Sequence, residues 1–513
     1  MEGMVDEPRA ATDVPDLAPV ATAPPVTCTP PLAVGVAADV GECALAKQLA
    51  MGTRRGRLVL TTTILGSGIA LLDGTIVNVA LPHIGRELDA DLAQLQWVVN
   101  AYALALASLI LLGGSLGDRF GRARMYAIGT AGFGLASLAC GLAPSIGTLI
   151  AARAVQGVAA ALLVPGSLAI LQASFRRKDR MAAIGAWTGL LGVASASGPI
   201  IGGWLVDHSW RWAFWLNVPL TALVVVLTVL YVPESSNPQA TRRLDVAGVA
   251  LAVLGLGCLT YALTTGPSHS GLLPWVIGVV GVLSLVGFVL VERRTSHPMV
   301  PPRLFESRVF TSVNIVTLLV YAGLGAALLF LVLFLQVVAG WSALAAGTAT
   351  LPLSLAMLLL AQRFGALATV HGPRRYMVGG TLVAAAGFVL LGFAPSQPSY
   401  AVHILPGMTL VGLGLAMLVA PLTGTVLAAA PDELSGTASG VNNAVSRTAG
   451  LLAVAALPPL VGLSGAAYED PVAMASAYRA AMWVCAGLVA SGAVITALGL
   501  RAEPVGQAQP EVA

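Results

Sequence analysis

Two charged residues of this chain, an acid and a base, stand out where the surrounding sequence is apolar. Asp73 lies in LLDGTIVNVALP, Leu71 to Pro82, and Arg153 in LIAARAVQGVAAA, Leu149 to Ala161. On helices, Asp73 falls about nine residues, roughly 13 Å, before the end of its apolar run, and Arg153 about six residues, roughly 9 Å, after the start of its own. A carboxylate withdrawn from water must face a cavity or a cation, and its neutral form gains when that partner leaves; this is what a proton-coupling group needs. Arg153 has no comparable escape, because a guanidinium keeps its proton and must be held by a carboxylate, by carbonyls or by water. Gln156 stands one turn further on the same face and extends the polar patch. A purely structural ion pair is the plainer reading of the same residues, and the two roles are compatible.

Two further segments read as mechanical rather than chemical. GSLGDRFGRAR, from Gly114, sets Asp118, Arg119 and Arg122 at a tight turn in which Gly114, Gly117 and Gly121 permit close backbone approach, so that an acid and its neighbouring arginines can pair and separate. GVASASGPIIGG, Gly192 to Gly203, places Gly198, Pro199, Gly202 and Gly203 in the middle of an apolar run, where proline breaks the hydrogen-bond ladder and small residues admit a neighbouring helix. Metalloprotease, nucleotide-binding and dithiol signatures are missing: there is no HExxH, GxxxxGK[ST] or CxxC. Catalysis and ATP hydrolysis therefore lack residues to perform them.

These positions need apolar spans to hold them, and the composition supplies little else. Of 513 residues 57% are hydrophobic and 10% charged, which excludes a water-soluble globule, whose charged share is roughly 25%. Cys140, Cys258 and Cys485 sit in apolar runs as small hydrophobes, and a net charge of +3 is too small to imply nucleic acid as a partner. Runs at about 58–82, 94–116, 125–143, 147–174, 181–206 and 211–232, then 244–266 and 272–291, then 310–338, 342–367, 374–394, 400–429, 436–462 and 476–500 are each long enough to cross a bilayer, fourteen in all. Basic residues cluster in alternate loops, at Arg54–Arg57, Arg119–Arg124, Arg176–Arg180, Arg242–Arg243, Arg293–Arg308, Arg374–Arg375 and Arg501. Only Arg86, Arg211 and Arg479 fall in the others. That asymmetry puts both termini in the cytoplasm.

The second loop recurs as GALATVHGPRR from Gly365, its glycines and basic ending in register with those of the first. Two repeats of six spans then flank a central pair, an arrangement common among transporters. The expected organisation is a disordered cytoplasmic tail over 1–55, a six-helix bundle over 56–235, the central pair over 240–295, a second six-helix bundle over 305–500 and a tail over 501–513. Trp97, Asn100, Tyr102, Tyr321, Phe334, Gln336, Asn442, Asn443 and Arg447 are candidates to line a cavity, since aromatic rings in a low-dielectric site hold flat apolar ligands and cations. Trp210, Trp212 and Trp215 read as an interfacial belt, and His83 and His403 as single interfacial histidines.

The motifs resemble those of the major facilitator superfamily. LLDGTIVNVALP and the fourteen runs are similar to its fourteen-helix drug:proton antiporter branch, GSLGDRFGR to its loop 2–3 motif, LIAARAVQG to its helix 4 motif and GPIIGG to the helix 5 motif of exporters. The Leu244–Gly248 and Leu335–Ser342 stretches are similar as well. The resemblance spans about Leu58 to Leu500. It departs from the pattern where Thr369 and Val370 replace the acid and arginine of the loop motif in the second repeat, and where Ala194 and Ala159 replace glycines. It implies an all-α integral membrane protein of the cytoplasmic membrane, working as a monomer. It also implies proton-coupled efflux of small hydrophobic or cationic drugs, with Arg153 sharing the proton handling, driven by the proton motive force without cofactor or ATP. An importer or facilitator on the same fold, for sugars, peptides or anions, is opposed by GPIIGG and by the scarcity of charge within the spans; a membrane-embedded enzyme is opposed by the missing signatures.

Overall fold

The computed structural model describes residues 48–236, 245–266, 271–295, 298–431, 434–463 and 465–500. The expected tails, apart from residues 48–55, lie outside the described residues, as do Arg242, Arg243 and His297. Among the described residues the long helices are α1 Arg54–Leu88, α2 Leu92–Phe120, α3 Arg122–Gly141, α4 Ile146–Ser174, α5 Arg177–His208, α6 Asn217–Tyr231, α7 Val246–Thr265, α8 Leu273–Arg294, α9 Arg308–Leu333, α10 Leu351–His371, α11 Pro373–Gly392, α12 Leu405–Ala428, α13 Ser435–Leu460 and α14 Pro471–Gly499. Twelve helical segments are long and apolar enough to cross a membrane. Neither α3 nor α13 is among them: α3 opens with Arg122 and Arg124, and α13 carries Asn442, Asn443 and Arg447.

Local chemistry sets the breaks. Asp91 with Gln94 and Ser145 with Thr148 form capping boxes that start α2 and α4. Gly121 and Gly372 take φ of 105° and 83° where α2 turns into α3 and α10 into α11, the equivalent places of the sequence repeat. Two expected spans are interrupted near a proline, which lacks an N–H for the helical ladder. The 211–232 run divides into a turn at Arg211–Trp215 and then α6, with Pro219 in its first turn; the 342–367 run divides into Ala343–Thr348 and α10, with Pro352 at its start. Pro82, by contrast, is accommodated inside α1, which runs to Leu88.

The first six helices pack on one another, chiefly α1 on α5, α2 on α4, and α3 on α4 and α6. The last six do the same, with α9 against α13 and α14, and α12 against α10 and α11. Helices α7 and α8 pair with each other, and α7 also touches α2 and α13. We call the end that holds Arg54 proximal and the end that holds Leu88 distal. At the distal end one apolar core runs through both groups, from Ile76, Val79 and Ile84 to Leu335, Ala343 and Met474, whereas the proximal core of Val59, Tyr126, Leu163 and Ile170 is built from the first six helices, with Ala444 of α13 packed against it. The distal end also carries hydrogen bonds between the groups. Gln336 Nε2 donates to Val79 O at 3.0 Å, Gln96 Nε2 to Val454 O at 2.5 Å, Tyr468 OH to Ala90 O at 3.0 Å and Ala343 N to Asp207 Oδ1 at 2.9 Å.

Trp210 corrects the belt expectation. It is 1% exposed, and its Nε1 donates to Glu87 Oε2 at 2.7 Å, because the side-chain carboxylate at the end of α1 satisfies the indole without lipid or water. Trp212 remains exposed.

Close packing here depends on glycine. A Cβ at Gly113 would strike the Ala161 carbonyl, part of the α4 backbone, whereas one at Gly424 in α12 would meet nothing. Gly113→Ala is therefore expected to cost about 1–3 kcal/mol by overpacking, and Gly424→Ala close to nothing, read as melting temperatures of the detergent-solubilised protein. Equal melting temperatures for the two variants would show that α2 and α4 do not meet at Gly113.

Candidate functional site

Asp73 and Arg153 meet. Arg153 Nη1 donates to Asp73 Oδ2 at 2.6 Å, and the two side chains are 0% and 1% exposed. Removing two ionised groups from water is costly unless the remaining donors and acceptors are filled, and here they are met from α2, α4 and α6. Asp73 Oδ1 accepts from Gln156 Nε2 on α4 and from Asn217 Nδ2 on α6, both at 2.9 Å. Arg153 Nη1 also reaches Gln156 Oε1 at 2.5 Å, and its Nε donates to the Val98 carbonyl of α2 at 3.0 Å. The guanidinium carbon sits 4.3 Å from the centre of the Tyr102 ring and 5.8 Å from that of Phe214, a cation–π arrangement. Ser137 of α3 closes the network by accepting from Gln156 Nε2 at 2.8 Å and Asn217 Nδ2 at 3.3 Å.

The set is chemically specific. An ionised carboxylate only accepts, and Asp73 receives donors on both oxygens. Arg153 has, besides Asp73, a carbonyl, an amide oxygen and an aromatic face, so it stays partnered if the carboxylate gains a proton. Sequence reading finds Asp73, Arg153, Gln156 and Tyr102 but misses Ser137 and Asn217. The only trace of Asn217 is an amide at the start of an otherwise apolar run, and Ser137 is indistinguishable by type from other small residues of α3.

The mechanical motifs are placed around this network. Gly198 and Gly202 of α5 face α1 next to Asp73: a Cβ at Gly198 would strike Thr75, and one at Gly202 would come within 2.6 Å of Ile76. The opposite side of the same motif meets the last six helices. A Cβ at Gly203 would strike Leu344, and one at Gly347 would strike the Pro199 carbonyl. At the proximal end Arg122 Nε donates to Asp118 Oδ1 at 2.8 Å, Gly121 makes the turn between them, and Arg119 lies exposed over the Phe120 ring. Gly114 lies against Pro165. Glu234, which sequence reading passes over, joins the turn: its carboxylate accepts from Ala123 N at 3.0 Å and Arg124 N at 3.1 Å, capping α3 from the far end of α6.

The remaining cavity candidates divide. Asn100 is fully buried with both amide atoms unpartnered, one turn along α2 from Gln96, and Arg447 presents a buried, unpartnered Nε from α13. Trp97 and Tyr321 are half-buried. Phe334 is corrected: it stacks on Tyr478 at 4.1 Å between ring centres and is 1% exposed, so it is core, a distinction that aromatic residue type alone does not carry. Gln336 binds the α1 backbone, Asn442 Nδ2 donates to Asn314 and Thr317 of α9, and Asn443 is exposed and turned onto its own helix.

Asn217→Ala removes a donor from Asp73 and leaves buried acceptors short, at a cost of about 1–3 kcal/mol. A clear drop in melting temperature is expected for this variant. An unchanged melting curve would show that Asn217 is incidental to the ion pair.

Known proteins locate this arrangement. The pattern of the Major Facilitator Superfamily matches residues 63–454. The chain is 39% identical over 407 residues to the puromycin resistance protein pur8 of Streptomyces alboniger, covering 78% of this chain and 80% of that one. It is 37% identical over 395 residues to the multidrug resistance protein Stp of Mycobacterium tuberculosis, covering 75% and 72%. With the tetracenomycin C resistance and export protein of Streptomyces glaucescens it shares 33% over 412 residues, covering 79% and 76%. Among solved structures a peptide transporter, POT in complex with sulfate, superposes with a TM-score of 0.65 at 15% identity, covering 90% of this chain and 99% of that one. The human organic anion transporter MFSD10 gives 0.58 at 19%, covering 86% and 100%. Both structural likenesses bear on the fold alone. On its sequence pattern and its relatives, the chain belongs to the Major Facilitator Superfamily, in the branch of drug and antibiotic efflux transporters, and is a transporter, not an enzyme.

Proposed function

We propose that this protein exports small hydrophobic or cationic antibiotics from the cytoplasm in exchange for protons, by alternating access between two six-helix bundles, 56–235 and 305–500. The observation that carries the reading is the fully buried Asp73–Arg153 pair at the meeting of α1, α2, α3, α4 and α6. In this reading the chain crosses the cytoplasmic membrane fourteen times with both termini inside, so the joined distal ends are outer ends. The structure then corresponds to a state closed to the outside. A proton arriving from outside neutralises Asp73, Arg153 falls back on Val98 O, Gln156 Oε1 and the Tyr102 ring, and the site loses its hold on a bound cation. Release of the proton to the cytoplasm restores the pair. The central helices fill the gap between the bundles against lipid, a monomer suffices, and the proton motive force replaces ATP. Relatives named for one antibiotic, puromycin and tetracenomycin C, favour a second reading in which the cargo is a single antibiotic.

The test is efflux of a fluorescent lipophilic cation, and in parallel of puromycin, from cells expressing the wild type or Asp73→Asn, with and without a protonophore. Asn keeps the shape and still accepts from Arg153 but does not exchange a proton. Efflux by the variant is expected to fall to that of empty-vector cells at unchanged membrane expression, and the protonophore to abolish wild-type efflux. Coupled efflux by Asp73→Asn would remove Asp73 from the role, and wild-type efflux that ignores the protonophore would overturn antiport.

A further inference from the structure

Helices α7 and α8 take no part in the Asp73 network, yet they hold two buried carboxyl groups of their own. Asp245 caps α7: its Oδ1 accepts from Gly248 N at 2.8 Å, and the residue is 9% exposed. Glu292 lies in the last turn of α8, 4% exposed, and its Oε2 accepts from Val300 N at 3.1 Å. Each is thereby satisfied on one oxygen. The others, Asp245 Oδ2 and Glu292 Oε1, are buried and receive no hydrogen bond. They face the same spot: a Cβ at Gly248 would strike Asp245 Oδ2 and lie 3.1 Å from Glu292 Oε1, so both free oxygens border the same small space beside Gly248.

Two ionised carboxylates cannot hold that position. Each oxygen would be an acceptor facing an acceptor, with two like charges in a site that excludes water. A neighbouring cation would relieve the pair, but none forms an ion pair with either group among the described residues. Arg293 and Arg294 on α8 are exposed, as are Arg303 and Glu306 in the connector that follows and Arg308 at the start of α9. On α7 itself the next ionisable side chains, Cys258 and Tyr261, lie roughly 20 Å or more along the helix. The two helices that touch α7 bring Asp118 and Arg119 on α2, one paired with Arg122 and the other exposed, and Arg447 in the middle of α13.

We propose that Asp245 and Glu292 share one proton, and that the resulting O–H···O⁻ bond ties the start of α7 to the end of α8: a proton-binding site separate from Asp73. The pair then carries one negative charge. Both buried oxygens become satisfied by a single hydrogen, and Gly248 supplies the room in which they approach. A site of this kind clamps the central helices to each other whether or not the flanking groups move.

The proposal is tested on the purified full-length protein in detergent, without reference to transport. The folded pair holds a proton that the unfolded chain releases at neutral pH, so stability falls as pH rises. Thermal melts across the neutral range are expected to show this slope in the wild type and to lose that component in Glu292→Gln, whose amide supplies the hydrogen permanently. The wild type minus Glu292→Gln infrared difference spectrum is expected to show the carbonyl band of a neutral carboxyl group. Asp245→Asn offers the same hydrogen from the other side and repeats both measurements. Parallel pH slopes in wild type and variants, or no neutral-carboxyl band, would overturn the proposal. So would stabilisation of the wild type but not the variants by magnesium or calcium, which would put a metal ion where we place the proton, and so would failure of both amide variants to fold.

Discussion

A guanidinium and a carboxylate brought together out of reach of water must find every hydrogen-bond partner within the protein, and the first half of this molecule is arranged to provide them. Arg153 and Asp73 draw on a backbone carbonyl of α2, an amide of α4 and an amide of α6, and a serine of α3 holds the two amides in turn. No single helix could supply that set, because side chains within reach of one another on one helix are confined to positions three and four apart. The charges therefore dictate which helices meet and at what depth. The apolar residues that surround them, among them Ile76, Leu149 and Phe214, only have to fill the remaining volume.

Placing a buried charge at a helix junction has a second cost, since the helix that carries it must be approachable from several sides. α5 answers this with Gly198 and Gly202 toward α1 and Gly203 toward the Ala343–Thr348 turn. The same few residues thus touch the neighbourhood of Asp73 on one side and the other half of the molecule on the opposite side. A change in the position of α1 reaches α5 through the side chains of Thr75 and Ile76 and is passed on to the distal contact through the backbone approach of Gly203 to Leu344 and of Gly347 to Pro199.

The charged residues were legible in the sequence because a charge inside an apolar run has few explanations. Asp73, Arg153 and Gln156 are found together, and the repeated loops end at glycines of positive φ in both places. What the sequence concealed depends on which face a residue presents. Asn217, Ser137 and Glu234 become partners only through contacts spanning many tens of residues or more, and the types Ser, Asn and Glu at helix ends occur for many reasons. Phe334 and Trp210 erred in the other direction: a ring has the same composition in a core, in a cavity or at an interface, and its neighbours, Tyr478 and Glu87, decide which. The helices themselves were read nearly end to end, their interruptions falling where Pro219 and Pro352 deny the ladder a donor.

Asp207 gives the distal seam a further property. Its carboxylate accepts from the backbone amides of Ala343 and Leu344, at 2.9 and 3.4 Å, so the short helix at Ala343–Thr348 begins on a cap borrowed from α5. A cap supplied by a different element is lost when that element moves away, and the first amides of the turn would then have only Ser342 and solvent. Parting the seam therefore frays a piece of secondary structure as well as breaking contacts. The turn becomes a local thermometer of separation, with its amide hydrogens shielded from exchange while the halves are joined and released when they part.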